Sequence, residues 1–277
     1  MMLSPSTITR PKKGLDPALK ITDELGGDVD GSPTVSSMLA VMSEQRRHAE
    51  TVGTEAAARH TARTLRNVAV AMRRLSCNDE ICSSIIERNG ISILVAACRS
   101  TELETKTMCA RVLCTLARHR ETRTTIVAEG AMAALELISM VSEPSVLCLV
   151  ATTLRLLSWH TPNAVIMTQQ GFLDIASKIL KLAGERREDN SLRAAVFDVA
   201  ATVETISWVG PASEVMAHSN GTMVVGALLK YDCDSLCRSA VVALCNMASC
   251  GGVHQMMVEE GAVGIHVHVC EKGLFSE

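Results

Sequence analysis

The stretch GTMVVGALLKYDCDSLCRSAVVALCNMASCGGVHQMMVEEG, residues 221–261, sets the pattern that the rest of the chain repeats. It holds three apolar segments, and the middle one, 235–248, is the longest. Apolar residues recur there at the spacing of one helical face, at Ala240, Val241, Leu244, Met247 and Ala248. We predict three helices, the last closed by Gly261. Because so few short helices cannot bury their apolar faces alone, they need copies on either side.

These copies are present along the chain. Glycines end the corresponding segments at Gly90, Gly130, Gly171, Gly221 and Gly261, with spacings of 40, 41, 50 and 40 residues. An apolar residue near the end of a long helix lies 14 or 15 residues before each glycine. We call these residues the anchors, and they are Leu75, Leu116, Leu157, Ile206 and Met247. Five recurrences in register predict a helical solenoid. We expect the extra residues of the longest spacing to form a surface loop, GERREDN at 184–190.

On these residues the chain resembles the armadillo repeat family. The family pattern has an acidic-small-Gly junction, a short helix, and a long helix ending in Ala-Leu-x-Asn-Leu-Ala. Residues 243–248, ALCNMA, match the end of that pattern nearly residue for residue, and the resemblance covers 54–271. It implies an all-α fold, an armadillo-type α-solenoid in which about five three-helix repeats form a right-handed superhelix.

The chain divides into a tail and a repeat array. Residues 1–33 contain four of the seven prolines and an acidic cluster, so we predict a disordered tail. The array is expected over 34–277, with helices at 35–47 and 54–76 forming a divergent first repeat. Residues 262–277 form a partial last repeat with little charge, and its apolar end predicts either a fragment of a longer array or self-association.

Composition excludes several classes of function. A net charge of -3 predicts no nucleic-acid binding, and no apolar run is long enough to span a bilayer. The eleven cysteines include five on apolar helix faces that we interpret as small buried hydrophobes, namely Cys109, Cys114, Cys148, Cys237 and Cys245. Free buried thiols require a reducing compartment, so we expect a cytoplasmic or nuclear protein.

No motif predicts catalysis, a cofactor or a metal. The chain has no phosphate-binding Gly-x-x-x-x-Gly-Lys, no Gly-x-Ser-x-Gly, no His-Glu-x-x-His and no Cys-x-x-Cys. We therefore predict that the protein is not an enzyme. Trp159 and Trp208 occupy equivalent positions, two residues after their anchors, and we interpret them as core packing rather than a ligand surface.

Charge is distributed unevenly along the array. Residues 59–123 contain twelve Lys and Arg against six Asp and Glu, whereas residues 124–277 contain nine against sixteen. This asymmetry predicts that an acidic partner segment binds the N-terminal half. The candidate binding residues are Arg63, Arg66, Arg73, Arg74, Arg111 and Asn246.

The resemblance also implies how a partner is held. In the armadillo family the long third helix of each repeat lines a concave groove, where an asparagine before the anchor binds the backbone of an extended peptide. Only Asn246 keeps that asparagine here, and no tryptophan lies four residues before this register. We therefore expect a protein-interaction scaffold that binds an extended or helical segment. The alternatives are a nuclear-transport adaptor and a regulatory module for a small GTPase.

Overall fold

The described part of the chain is helical. In the computed structural model, thirteen α-helices and one 3₁₀ turn account for nearly all the regular structure of the residues described, which are 63, 66–67, 70, 73, 79–231, 233–264 and 267. The predicted tail, the predicted helix at 35–47 and Arg74 lie outside these residues. Within the described ranges no helix is long and apolar enough to cross a membrane.

The helices follow one another in cycles of three, which confirms the predicted repeat. First helices are α1, α4, α7, α10 and α13, second helices are α2, α5, α8 and α11, and third helices are α3, α6, α9 and α12. Their bounds are α1 Asp79–Glu87, α2 Gly90–Cys98, α3 Leu103–Arg118, a 3₁₀ turn Arg120–Thr122, α4 Arg123–Ala128, α5 Ala131–Ser139, α6 Pro144–Ser158, α7 Thr161–Gln169, α8 Phe172–Glu185, α9 Asn190–Ser207, α10 Gly210–His218, α11 Gly221–Leu228, α12 Asp234–Ala248 and α13 His254–Glu259.

From α2 onward, each helix packs against the helix of the same class in the next repeat. The third helices make the most extensive contacts, above all α6 with α9, and the second helices form a parallel row beside them. The four anchors that fall in described helices, Leu116, Leu157, Ile206 and Met247, are all fully buried. The predicted anchors therefore lie in the core of the array. Replacing one of them by alanine should lower the free energy of unfolding by about 2–5 kcal/mol.

The junction between first and second helices requires a left-handed residue. Gly130, Gly171 and Gly261 supply it, with φ angles of 94°, 85° and 92°. At the other two junctions our prediction of a terminating glycine was wrong, because Asn89 and Asn220 take the left-handed conformation with φ angles of 60° and 64°. Asparagine tolerates this region better than other residues with a Cβ atom.

At those two junctions the glycine begins the second helix and is needed for close approach. A Cβ atom on Gly90 would lie 2.5 Å from the carbonyl oxygen of Ile85, and one on Gly221 would lie 2.5 Å from that of Met216. The left-handed positions 89, 130, 171, 220 and 261 are 41, 41, 49 and 41 residues apart. These are also the spacings of the anchors, so the left-handed residue marks the repeat better than the glycine does.

The extra residues of the fourth repeat, which comprises α7 to α9 when the divergent first repeat is counted, mostly lengthen its helices, so the predicted surface loop was correct only for 186–189. Helix α8 has 14 residues where the other second helices have 8 or 9, and α9 has 18 where the other third helices have 15 or 16. Only 186–189 connect them. Asp189 caps α9, because its Oδ1 atom accepts hydrogen bonds from the amides of Ser191 and Leu192 at 2.8 and 3.1 Å.

The cysteines follow the prediction only in part. Cys109, Cys114 and Cys237 are buried, as expected, but Cys148 is half-buried and Cys245 is exposed. The prediction was therefore wrong for Cys245 and only partly met by Cys148, which packs against the core without being fully covered.

The conformation of Gly130 yields a direct test. No atom lies within 4 Å of a Cβ placed there, so Gly130→Ala should destabilise the protein by about 1–2 kcal/mol through the backbone alone. Gly184→Ala is the matched control, because Gly184 is helical and equally unobstructed. Alanine there should raise the free energy of unfolding by about 0.5–1 kcal/mol. Urea unfolding measures both changes, and equal effects would contradict the left-handed junction.

Candidate functional site

The third helices expose one continuous set of side chains. On each helix the buried stripe faces the core and the neighbouring repeats, and the remaining positions stay exposed or half-buried. We call this set, together with the residue that follows each helix, the third-helix face. Its members include Glu104, Arg111, Arg118, Cys148, Thr152, Arg155, Trp159, Phe197, Asp198, Glu204, Trp208, Arg238, Ser239, Cys245 and Asn246.

Polar contacts join neighbouring helices across this face. Asp198 on α9 receives two contacts from α6, an ion pair with Arg155 Nε at 2.6 Å and a hydrogen bond from Thr152 Oγ1 at 2.6 Å. Ser239 on α12 donates to Glu204 on α9, also at 2.6 Å. Since these partners come from different repeats, the contacts hold the third helices in fixed relative positions.

Asn246, the candidate that matches the family pattern, lies on the third-helix face. Its Nδ2 atom donates to Ser207 Oγ in the preceding repeat at 2.9 Å, and the residue is half-buried. The amide group therefore already makes one contact within the chain. Its role in binding a partner stays a prediction.

The four candidate arginines among the described residues lie in helical segments, and their exposure differs. Arg63 and Arg73 are exposed, as is Arg111 on α3. Arg66 Nη1 lies 2.8 Å from Glu104 Oε2, which ties the helical residues before α1 to α3. This pairing offsets much of the charge of Arg66, so Arg63 and Arg111 are the stronger candidates for contact with a partner.

The two tryptophans are exposed, so the prediction of core packing was wrong. Trp159 is 53% exposed and Trp208 is 67% exposed, and each follows the last residue of a third helix, α6 and α9 respectively. At that position the chain has passed the final turn that the neighbouring helices cover. The two tryptophans do occupy equivalent positions in the repeat, but that position lies on the surface of the array and not in its core.

The ring of Trp159 is bordered by two guanidinium groups. The Cζ atoms of Arg155 and Arg123 lie 5.0 and 5.3 Å from the ring centroid, within the range of cation–π interactions. Arg123 is itself buried, and its Nε atom donates to the carbonyl oxygen of Ala117 at the C-terminal end of α3 at 2.8 Å. Burial and the nearby charge of Arg120 lower the pKa of Arg123.

The surroundings of Trp208 differ from those of Trp159. Among the described residues no guanidinium lies over its ring. The position four residues before it is Glu204, where Trp159 has Arg155. Trp208 is therefore the more open of the two rings.

Exposed valines also occur near the C-terminal end of the described residues. Val258, Val263 and Val267 are each exposed on more than half of their surface. Ile265 and Val269, two further apolar residues of the predicted partial last repeat, lie outside the described residues. Self-association through this segment stays a prediction.

Comparison with known proteins identifies the fold. No family model and no curated protein matches the chain. A designed armadillo repeat protein superposes with a TM-score of 0.53 at 12% identity, covering 82% of this chain and 98% of that one. The armadillo repeats only protein of Plasmodium falciparum gives 0.52 at 15% identity, covering 68% and 80%. A designed armadillo protein in complex with the peptide (KR)4 gives 0.50 at 12%, covering 84% and 100%.

At these identities the likeness concerns the fold alone. It agrees with the three-helix cycle and the packing of equivalent helices described above. The chain has the fold of an armadillo-type helical solenoid.

The unequal surroundings of the tryptophans predict unequal effects on stability. Trp159→Ala removes two cation–π contacts, so it should lower the free energy of unfolding by about 1–2 kcal/mol. Trp208→Ala is the matched control and should stay within about 0.5 kcal/mol of the wild type. Urea denaturation of the two variants makes the comparison, and an equal loss in both would show that the arginine contacts contribute nothing.

Proposed function

We propose that this protein is a non-enzymatic scaffold that binds a segment of another protein along the third-helix face. The observation that carries the proposal is the exposure of both tryptophans at equivalent ends of adjacent third helices. Large aromatic rings are enriched at the centres of protein interfaces, and this chain has only 2% aromatic residues. A designed protein of the same fold is in complex with the peptide (KR)4, which supports peptide binding by this fold.

We further propose that the bound segment is acidic where it meets the N-terminal repeats. Arg63, Arg73, Arg111 and Arg118 are exposed there. Farther along the face, Asp198 and Glu204 already make contacts within the chain. Electrostatic attraction toward the arginines would raise the association rate and fix the direction of the segment.

A cytoplasmic or nuclear location belongs to the same proposal. The nine cysteines among the described residues are all free, including buried ones in the core. Free thiols in this number are typical of reducing compartments and support the assignment.

The proposal is tested with peptides selected from a random library displayed against the full chain. Arg63→Glu combined with Arg111→Glu should weaken binding of the selected peptides by about tenfold or more and flatten its salt dependence. The melting temperature should not change, since both side chains are exposed. Fluorescence anisotropy gives the affinities at several salt concentrations.

Lys178→Glu is the matched control, because Lys178 is exposed on α8, a second helix. It changes the net charge in the same direction without altering the third-helix face. Equal affinities for the wild type and the double variant would contradict the proposed surface. If Lys178→Glu weakened peptide binding as much per unit of charge as the double variant does, only the net charge of the protein would matter.

A further inference from the structure

A second surface lies at the lengthened fourth repeat. A pocket of about 180 Å³ opens between the end of α8, the start of α9 and the segment that joins α11 to α12. Arg187, Arg193 and Phe197 line one part of it, and Tyr231 and Leu236 line another. Arg187 lies in the segment 186–189 that joins the lengthened helices, and Arg193 lies near the start of α9.

The pocket continues as a shallow depression on the other side of Tyr231. This depression, of about 440 Å³, runs between the second helices α8 and α11 and shares Arg187 and Tyr231 with the pocket. Lys181, Lys230 and Met223 border it. We call the pocket and the depression together the basic strip.

The strip carries positive charge that the described structure leaves unneutralised. Lys181, Arg187, Arg193 and Lys230 are exposed, and none forms an ion pair with a described residue. Among the described residues no carboxylate lines either part of the strip. The nearby carboxylate of Asp189 is occupied in capping α9.

Tyr231 fixes the centre of the strip. Its hydroxyl group donates to the carbonyl oxygen of Leu180 at 3.3 Å, which joins the α11–α12 segment to α8. Burial raises the pKa of Tyr231, with the charge of Arg187 acting in the opposite direction. The ring therefore stays a neutral wall beside the exposed guanidinium groups.

Apolar side chains lie at both ends of the strip. Phe197 is 37% exposed beside the pocket, and Met223 is 63% exposed beside the depression. A strip with apolar ends and a basic centre complements a peptide segment that has an acidic centre and apolar ends. The pocket alone is smaller than the roughly 300–1,000 Å³ of small-molecule sites, and the adjoining depression is shallow, so the strip suits an extended segment better than a free metabolite.

We propose that the basic strip binds an acidic peptide segment whose carboxylates meet Arg187 and Arg193, with apolar side chains placed on Phe197 and Met223. Guanidinium groups bind carboxylates with charge-assisted, often bidentate hydrogen bonds, which gives the strip its selectivity. The strip shares Phe197 with the third-helix face but is separate from the third-helix arginines of the N-terminal repeats. Its occupation therefore does not depend on the function proposed above.

Isothermal titration calorimetry of the full chain with the peptide LEEEEL, acetylated and amidated at its ends, tests this proposal. We expect LEEEEL to bind, and the isosteric peptide LQQQQL to bind at least roughly fivefold more weakly. Arg187→Gln combined with Arg193→Gln should weaken LEEEEL binding by a similar factor. The melting temperature of this variant should equal that of the wild type, because both side chains are exposed.

One control variant locates the binding. Arg99→Gln, which changes an exposed arginine after α2 that lies outside both proposed surfaces, should leave the affinity for LEEEEL unchanged. The proposal is overturned if LEEEEL does not bind at millimolar concentration, if LQQQQL binds equally well, or if loss of Arg187 and Arg193 has no effect. A loss of affinity for LEEEEL only in the Arg63→Glu, Arg111→Glu variant would assign the peptide to the third-helix face and would also overturn the proposal.

Discussion

The packing of each third helix against the third helix of the next repeat is the interaction on which the rest of this structure depends. It buries the anchors Leu116, Leu157, Ile206 and Met247 completely. Burial of one face leaves the opposite face of each helix uncovered, and successive repeats place these uncovered faces side by side. The surface that we propose for partner binding is therefore a direct consequence of the way the core is built.

This packing works only if the chain returns to the same position after every repeat. The left-handed residue between the first and second helices makes that return possible, and the chain uses either glycine, as at Gly130, or asparagine, as at Asn89. Cross-repeat contacts such as Arg155 with Asp198 then fix neighbouring third helices. The lengthened fourth repeat keeps the junction and the anchor, and its added residues contribute Lys181 and Arg187 to the basic strip.

Much of the fold could be predicted from the sequence, because burial imposes a strict periodicity on the apolar anchors. The junctions at 90 and 221 were misplaced by one residue, since glycine and asparagine can both take the left-handed conformation. The predicted loop at 184–190 was too long at both ends, because glutamate is a good helix former and Asp189 caps the next helix. Helix α8 accordingly continues to Glu185.

The candidate site was less predictable. The equivalence of Trp159 and Trp208 was visible in the sequence, but whether that position faces the core depends on where neighbouring helices end. The pairing of Arg66 with Glu104 joins residues 38 positions apart, and no local pattern indicates such a contact. The pocket beside Tyr231 forms from three segments that lie together only once the repeats have stacked.

Intrinsic tryptophan fluorescence tests the proposed third-helix face most directly, because the only two tryptophans of the chain are both exposed on it. A library-selected partner peptide without tryptophan is titrated into the protein, and calorimetry confirms saturation independently. The account predicts that the emission shifts to shorter wavelength as the partner removes water from the rings. Saturation with an unchanged emission spectrum would contradict the account, because the partner would then bind elsewhere on the protein.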